Sequence, residues 1–354
     1  MKTTRLLSAL ALCVALWSCE EHSGNEIIPA GIGTYILNNG NWGDNDSNIG
    51  IYNPAEKTFS ADAFFSANGQ KLGDLGQDII GLGDNLYIAV NGSQTVFVTD
   101  MDLKIRQQIN TDKDGSRLSP RAFAASADKV YVTYYEGYVG EISGDGSVRI
   151  CTAGPNPDGI ALAGNNLYVA NSGGMSYPAY NNTVSVVSVS SFKETSTIEV
   201  NVNPAKMEAS SDGSHVYVSS FGNYADRPAM LQVIDVHTGK VTDLDYASVS
   251  AIAKGKNDIL YILCGGYDEN WNPLPGTVYR HDMKTDKSLG KFVSDNTELP
   301  NAYSISATSD GYVYVGCSDY MTTGDVYVFT ADGKLHDKFD SQGLNPLKAY
   351  QESE

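Results

Sequence analysis

The residues able to do chemistry in this chain are mostly rings and amides. Eleven aromatic side chains (Trp42, Tyr134, Tyr135, Tyr138, Tyr177, Tyr180, Phe221, Tyr224, Tyr267, Trp271 and Tyr320) lie in or beside stretches such as NNGNWGDNDSN, NSGGMSYPAYNN, SSFGNYADRPAM, CGGYDENWNPLPG and CSDYMTTGD. Asn, Ser, Gly and Asp surround them, and Arg227 is the one basic residue there. Flat apolar faces among neutral donors and acceptors suit a bulky, partly apolar ligand that carries amides or hydroxyls, and they do not suit a polyanion. Each ring taken alone could simply pack its own loop. Together they read as a binding surface, with Trp42, Tyr135, Tyr177, Phe221, Tyr224, Trp271 and Tyr320 as contacts. Asn41, Asn91 and Ser172 are candidate hydrogen-bonding groups, and Arg121 and Tyr303 are candidates for an axial rim or for plain channel lining.

Other chemistry is thinly represented. WGDNDSN places Asp44, Asp46 and Asn48 at alternate positions, where their oxygens could gather around Ca²⁺. The Gly and Glu of a full EF-hand loop are missing, so a solvated acidic turn competes with a structural Ca²⁺ site. No Ser-His-Asp set, HExxH motif or glycine-rich phosphate loop occurs. His215, His237, His281 and His336 are expected away from the aromatic stretches or at the periphery. The chain is therefore read as having no catalytic residues and no other cofactor.

These residues must be held by something regular, and the sequence repeats itself. GDNLYIAVNG (Gly83 to Gly92) returns as DKVYVTYYEG, NNLYVANSGG, GSHVYVSSFG, NDILYILCGG and DGYVYVGCSD, with a weaker copy in GTYILNNG. The marker residues Tyr35, Tyr87, Tyr131, Tyr168, Tyr217, Tyr261 and Tyr314 are separated by 52, 44, 37, 49, 44 and 53 residues. Such spacing, with several short strands per unit and no long 3.6-residue period, predicts propeller blades. Each unit reads as a small-residue strand (DIIGLG, RAFAAS, GIALAG, KMEASS, SAIAKG, SISATS), the Leu-Tyr-Val strand, an alternating strand and a polar outer strand. Small residues fit the crowded axis. The first unit lacks its small-residue strand, and the terminal GLNPLKAYQ resembles VNPAKMEAS and GPNPDGIAL. The prediction is an all-β, seven-bladed β-propeller over residues 31–354, with a C-terminal strand completing the first blade and leaving no free edge. In antiparallel blades the aromatic stretches share one face with the links between blades, whereas the opposite turns (GDN, ADK, GNN, SDGSH) are short. Long loops on a rigid scaffold are where binding sits.

Bulk properties set outer bounds. The 354 residues carry a formal net charge of −18, which repels phosphate backbones and argues against nucleic-acid binding. Met1 to Arg5 is short and basic, and Leu6 to Trp17 is apolar but short for a membrane span. Leu16-Trp17-Ser18-Cys19 looks like a bacterial lipobox, in which cleavage precedes the Cys and its sulfur carries lipid. An ordinary secretion signal cut near the same place is the alternative. Residues 1–18 are thus expected to be a signal peptide and 19–30 a lipidated Cys19 with a polar tether, giving a firm membrane anchor. Cys151, Cys264 and Cys317 are too few and too irregular for a disulfide framework or metal set and are read as small buried residues.

The phrase VIDVHTGKV (Val233 to Val241) resembles YVTN-type, YncE-like propellers of bacterial surface proteins. The lipobox, the acids Glu20 and Glu21 and the opening GTYILNNGNWGDNDSNIGIYN together resemble the narrower BtuG type of Bacteroides surface lipoproteins. That resemblance implies capture of cobalamin (vitamin B12) or related corrinoids at the cell surface and transfer to a BtuB-type TonB-dependent barrel. The rings and amides fit a corrinoid, a large macrocycle edged with carboxamides. They also fit an oligosaccharide, so a glycan-binding surface propeller is the alternative expectation. A propeller lyase or hydrolase, and a purely structural surface component, complete the set.

Overall fold

The computed structural model describes residues 33–267 and 273–352; the signal, Cys19, the tether and Trp271 lie outside them. Seven four-stranded antiparallel sheets form a ring, as the repeats predict. Blade 1 runs Pro346–Tyr350, Thr34–Asn38, Asn48–Asn53 and Thr58–Ser60 from axis to rim. Blade 2 consists of Gly76–Leu82, Asn85–Val90, Thr95–Thr99 and Ile105–Ile109. The inner strands of blades 3 to 7 are Pro120–Ala125, Pro157–Ala163, Pro204–Ala209, Val249–Lys254 and Ala302–Ala307. The C-terminal strand pairs with Thr34–Asn38 (Ile36 opposite Ala349), so the two ends of the ring are hydrogen-bonded together.

The Leu-Tyr-Val strands form because β-branched and aromatic residues fit a pleated surface packed on both faces. All seven marker tyrosines are buried, as are their Leu, Ile and Val neighbours. Burial of such side chains contributes about 2–3 kcal/mol each. Some of their hydroxyls find partners that the pattern alone could not foresee: Tyr314 pairs with Thr34 at 2.9 Å across the ring seam, and Tyr35 donates to the Met101 carbonyl. Cys151, Cys264 and Cys317 are free and buried, and burial pushes the Cys264 thiol up to about 11 and Cys317 to about 12. Such thiols are inert packing groups.

The inner strands are short of side-chain room, as expected. A Cβ on Gly159 would stand 2.2 Å from the Ala205 carbonyl oxygen of the next blade. The register of every inner strand shifts after its first residue. One side of each inner strand faces the axis, so its N–H groups need partners from elsewhere. The Phe123 N–H donates to Asp78 Oδ2 (2.9 Å) and the Ala349 N–H to Ser306 Oγ (3.0 Å), each linking one blade to its neighbour.

Two features depart from the sequence reading. The segment CGGYDENWNPLPG, expected as a loop, is mostly a continued hairpin: strands Ile259–Tyr267 and Pro273–Asp282 stay paired out to Tyr267 opposite Pro273. A six-residue helix, Ala63–Asn68, fills the link between blades 1 and 2, where Phe64 packs against Phe97.

Candidate ligand-binding site

One hydrogen-bond motif positions all the loops of the long-loop face. At the exit of each second strand a backbone N–H donates to the carbonyl of the residue that precedes an inner strand. The pairs are Asn39 to Asn345, Asn91 to Leu75, Tyr135 to Ser119, Ser172 to Asn156, Phe221 to Asn203, Gly265 to Ser248 and Ser318 to Asn301, at 2.8–3.1 Å. Six of the seven acceptors (Leu75, Asn156, Asn203, Ser248, Asn301 and Asn345) have φ between 49° and 59°. That left-handed backbone favours Asn among residues with a side chain. This is the physical content of Asn-Pro in GPNPD, VNPAK and LNPLK: Asn turns the chain and Pro starts the inner strand with its φ already set.

The latch explains where several expected ligand groups went. Asn91 is buried and its Nδ2 donates to the Pro120 carbonyl (3.2 Å); Ser172 is buried and its Oγ donates to the Asn156 carbonyl (2.7 Å). Both are spent on the scaffold rather than offered at the surface. Asn41 belongs to the rim of blade 1, where its Oδ1 accepts from Asn345 Nδ2 (3.2 Å) and its N–H donates to Asp46 Oδ1 (2.9 Å). Asn48 Oδ1 accepts from Asn38 Nδ2 (2.7 Å), so Asp46 and Asn48 are already engaged with protein donors. Asp44 is exposed, and no group of three or more His, Cys, Asp or Glu able to hold a metal occurs among the described residues.

The rings divide into packers and presenters. Tyr134 is buried with its hydroxyl on Thr111 (2.7 Å), and Tyr138 packs beside it in the core between blades 2 and 3. Trp42, Tyr177, Tyr224 and Tyr320 are 47–76 % exposed, and Met175 and Met321 stand near them in sequence at 77 % and 80 %. Tyr177, Tyr180 and Tyr224 form a chain of edge-to-face contacts between the loops of blades 4 and 5, with centroids 6.0 and 6.1 Å apart. Tyr303 and Tyr320 make a similar pair in blade 7 at 5.6 Å. The Tyr177-Pro178 peptide is cis.

Below the rings lies an axial cavity of about 720 Å³, lined near its mouth by Arg121, Asp158, Lys206, Phe221, Ser250 and Tyr303. Arg121, Phe221 and Tyr303 thus meet in one place. Arg121 Nη2 pairs with Asp158 Oδ2 at 2.8 Å, and its guanidinium lies over the Tyr135 ring, 4.9 Å from the centroid. Burial pushes the Asp158 carboxyl up, but Arg121 and Lys206 outweigh it and hold it below the usual carboxylate range. Burial pushes the Tyr303 hydroxyl well above its ordinary value.

The cavity is richer in charge than the neutral loop residues suggest. Besides Arg121 and Asp158 its wall carries Asp78, Lys206, Glu208, Lys254 and Lys348. Lys348 Nζ is 3.4 Å from Asp78 Oδ1, and Lys254 Nζ donates to the Ala209 carbonyl at 2.8 Å. Burial raises the Glu208 carboxyl although Lys348 and Lys254 pull it down. The loops are poor in charge; the charges come from inner strands, where Arg121 alone among them is picked out in the sequence. Lys206 and Glu208 in KMEASS, and Lys348 in PLKAY, were the available signal, since alternate residues of a strand beside the axis must face it.

His215 pairs with Ser214 in a short turn and His281 with Tyr246 and Asp286 near a rim; no His lines the axial cavity among the described residues.

No protein-family model matches the chain, and no curated protein matches it. Solved structures share the fold. Hydrazine synthase of Kuenenia stuttgartiensis superposes with a TM-score of 0.57 at 18% identity over 71% of this chain and 74% of that one. The computationally designed Ika8 protein superposes at 0.51 with 14% identity, covering 77% and 89% respectively. At such identities the likeness is one of fold alone.

Proposed function

We propose that this chain is a non-catalytic capture protein that binds cobalamin or a related corrinoid on its long-loop face. The observation that carries the reading is one-sided. Among the described residues, six of the nine exposed large hydrophobic side chains (Trp42, Met175, Tyr177, Tyr224, Tyr320 and Met321) stand on the loops of that face. One of them, Tyr320, packs edge-to-face against Tyr303, which lines an axial cavity of about 720 Å³, a size within the range of small-molecule sites, roughly 300–1,000 Å³. Exposed apolar groups grouped in this way mark interaction sites. Carboxamides of the ligand would meet the loop amides and hydroxyls, and its macrocycle the rings. The latches hold the loops before binding, so little ordering entropy is lost and affinity can be high.

The lipobox and the acidic start support a lipid anchor at Cys19 and a place on the outer membrane facing outward. The resemblance to BtuG-type proteins, within YncE-like propellers, supports release to a BtuB-type TonB-dependent barrel that competes for the ligand or for the face. The direct test is calorimetry of the chain from residue 31 onward, which contains the whole closed ring, with cyanocobalamin. Saturable one-to-one heat is expected. Absence of heat at micromolar protein, together with binding on a carbohydrate array, would replace the reading with a glycan-binding one.

A further inference from the structure

The axial cavity holds a cationic group that the capture reading leaves unused. Its wall carries Arg121, Lys206, Lys254 and Lys348 against Asp78, Asp158 and Glu208. That is one positive charge in excess, in a chain whose formal net charge is −18. Three of the four cations have protein partners: Arg121 on Asp158 at 2.8 Å, Lys348 on Asp78 at 3.4 Å and Lys254 on the Ala209 carbonyl at 2.8 Å. Lys206 has neither an ion pair nor a hydrogen bond among the described residues. It feels Asp158 electrostatically, but that carboxylate is already taken by Arg121. The guanidinium is under-used as well, because only Nη2 has an acceptor and the buried Nε–H has none. Buried or half-buried donors without acceptors are unfavourable, and a charged pair of them is the arrangement that an incoming anion relieves.

The register puts these groups together at the mouth. Arg121 and Asp158 each follow the first residue of their inner strand, in blades 3 and 4, and Lys206 stands one position deeper in blade 5. Phe221 and Tyr303 line the same mouth, and Tyr135 lies against Arg121. A cation pair framed by rings fits one anion carried on a large, otherwise neutral body. It does not fit a polyanion, because Asp78, Asp158 and Glu208 line the same cavity.

We propose that the mouth of the axial cavity binds a single anionic group of the captured ligand, a phosphodiester or a carboxylate, between Lys206 and Arg121. The inference rests on the capture reading for the ligand's body and stands apart from it for the anion. A corrinoid with its nucleotide loop presents one phosphodiester on an amide-edged ring; an acidic sugar presents one carboxylate.

The test compares Lys206→Gln and Lys206→Arg with the parent chain. Neither removes an existing contact, and melting curves check that both fold. Calorimetry uses cyanocobalamin, which carries the phosphodiester, and dicyanocobinamide, which lacks the nucleotide loop. The expected result is about a tenfold or greater loss of cyanocobalamin affinity in Lys206→Gln, rescue in Lys206→Arg, and no change toward dicyanocobinamide. Equal weakening of both ligands, or of neither, overturns the proposal. If cyanocobalamin gives no heat at all, the capture reading fails and the anion site is tested alone. Diethyl phosphate, glucuronate and neutral glucose are then titrated while the amide resonances of residues 204–208 are followed. Shifts with one anion, absent with glucose and lost in Lys206→Gln, support the site and name its chemistry. No shift with either anion rejects it.

Discussion

A guanidinium taken out of water is stable only where its charge is matched, and Asp158 does this for Arg121 at 2.8 Å with both side chains largely buried. Asp158→Asn should therefore destabilise the ring by about 3 kcal/mol, because it leaves a desolvated cation behind; urea denaturation measures it. The carboxyl of Asp158 is held low, first against burial and then by Arg121 and Lys206. Its contribution is complete above the unfolded value, near pH 4, and is lost as pH falls through the lower folded value. Glu208 has the opposite sign. Burial raises its carboxyl in the fold despite Lys348 and Lys254, with Asp78 adding to the rise. Its favourable term is present below about pH 4 and is lost as pH rises through the raised value. The stability of Glu208→Gln relative to the parent should thus grow between pH 4 and pH 7; a flat difference would show that Glu208 ionises as it does in the unfolded chain. At this scale the sequence was partly legible. Trp42, Tyr177 and Tyr224 could be picked as presented rings because polar loops gave them nothing to pack on. Asn91 and Ser172 could not be separated from them, because their partners are distant in sequence: the start of the next blade's inner strand, about thirty residues later, for Asn91, and the turn before its own blade's inner strand, sixteen earlier, for Ser172.

The element that sets the site is the latch between a second-strand exit and the turn before an inner strand. Asn345 shows what it does. Its backbone is left-handed (φ 59°), its carbonyl accepts from Asn39, its Nδ2 donates to the Gly40 carbonyl (2.9 Å) and its Oδ1 accepts from Ser318 Oγ (2.6 Å). Asn345→Ala removes these side-chain bonds and strains the backbone, so a loss of about 3 kcal/mol is expected. Asn345→Gly relieves the strain and should recover about 1 kcal/mol of it. Both substitutions should weaken ligand binding, since the loop that carries Trp42 starts at this latch. Melting curves and titrations in parallel check the pair. The Asn-Pro phrases were visible as the start of three inner strands. Their left-handed turn was not, because it answers to an N–H that lies eighteen residues away for Asn203 and 306 away for Asn345.

At the scale of the molecule the closed ring is the rigid base for everything else. Removing residues 344–354 takes away the inner strand of blade 1, with Lys348, and exposes the edges of Thr34–Asn38. The truncated chain should aggregate or melt far below the parent, as size-exclusion chromatography and thermal denaturation would show. The ring itself was legible because a propeller repeats one local rule seven times, and the unpaired GLNPLKAYQ could only fill the gap in the first repeat. The shape and charge of the cavity were not, because they arise from single side chains of seven strands meeting across an axis. On the proposed reading, ligand is taken on the face bearing the latched loops. Hydrogen exchange with and without cyanocobalamin tests it directly. Protection is predicted in residues 39–47, 172–182, 221–229 and 318–324, with no change in the short turns at residues 83–84, 126–129 and 210–214. Protection confined to those turns, or none anywhere, would contradict it.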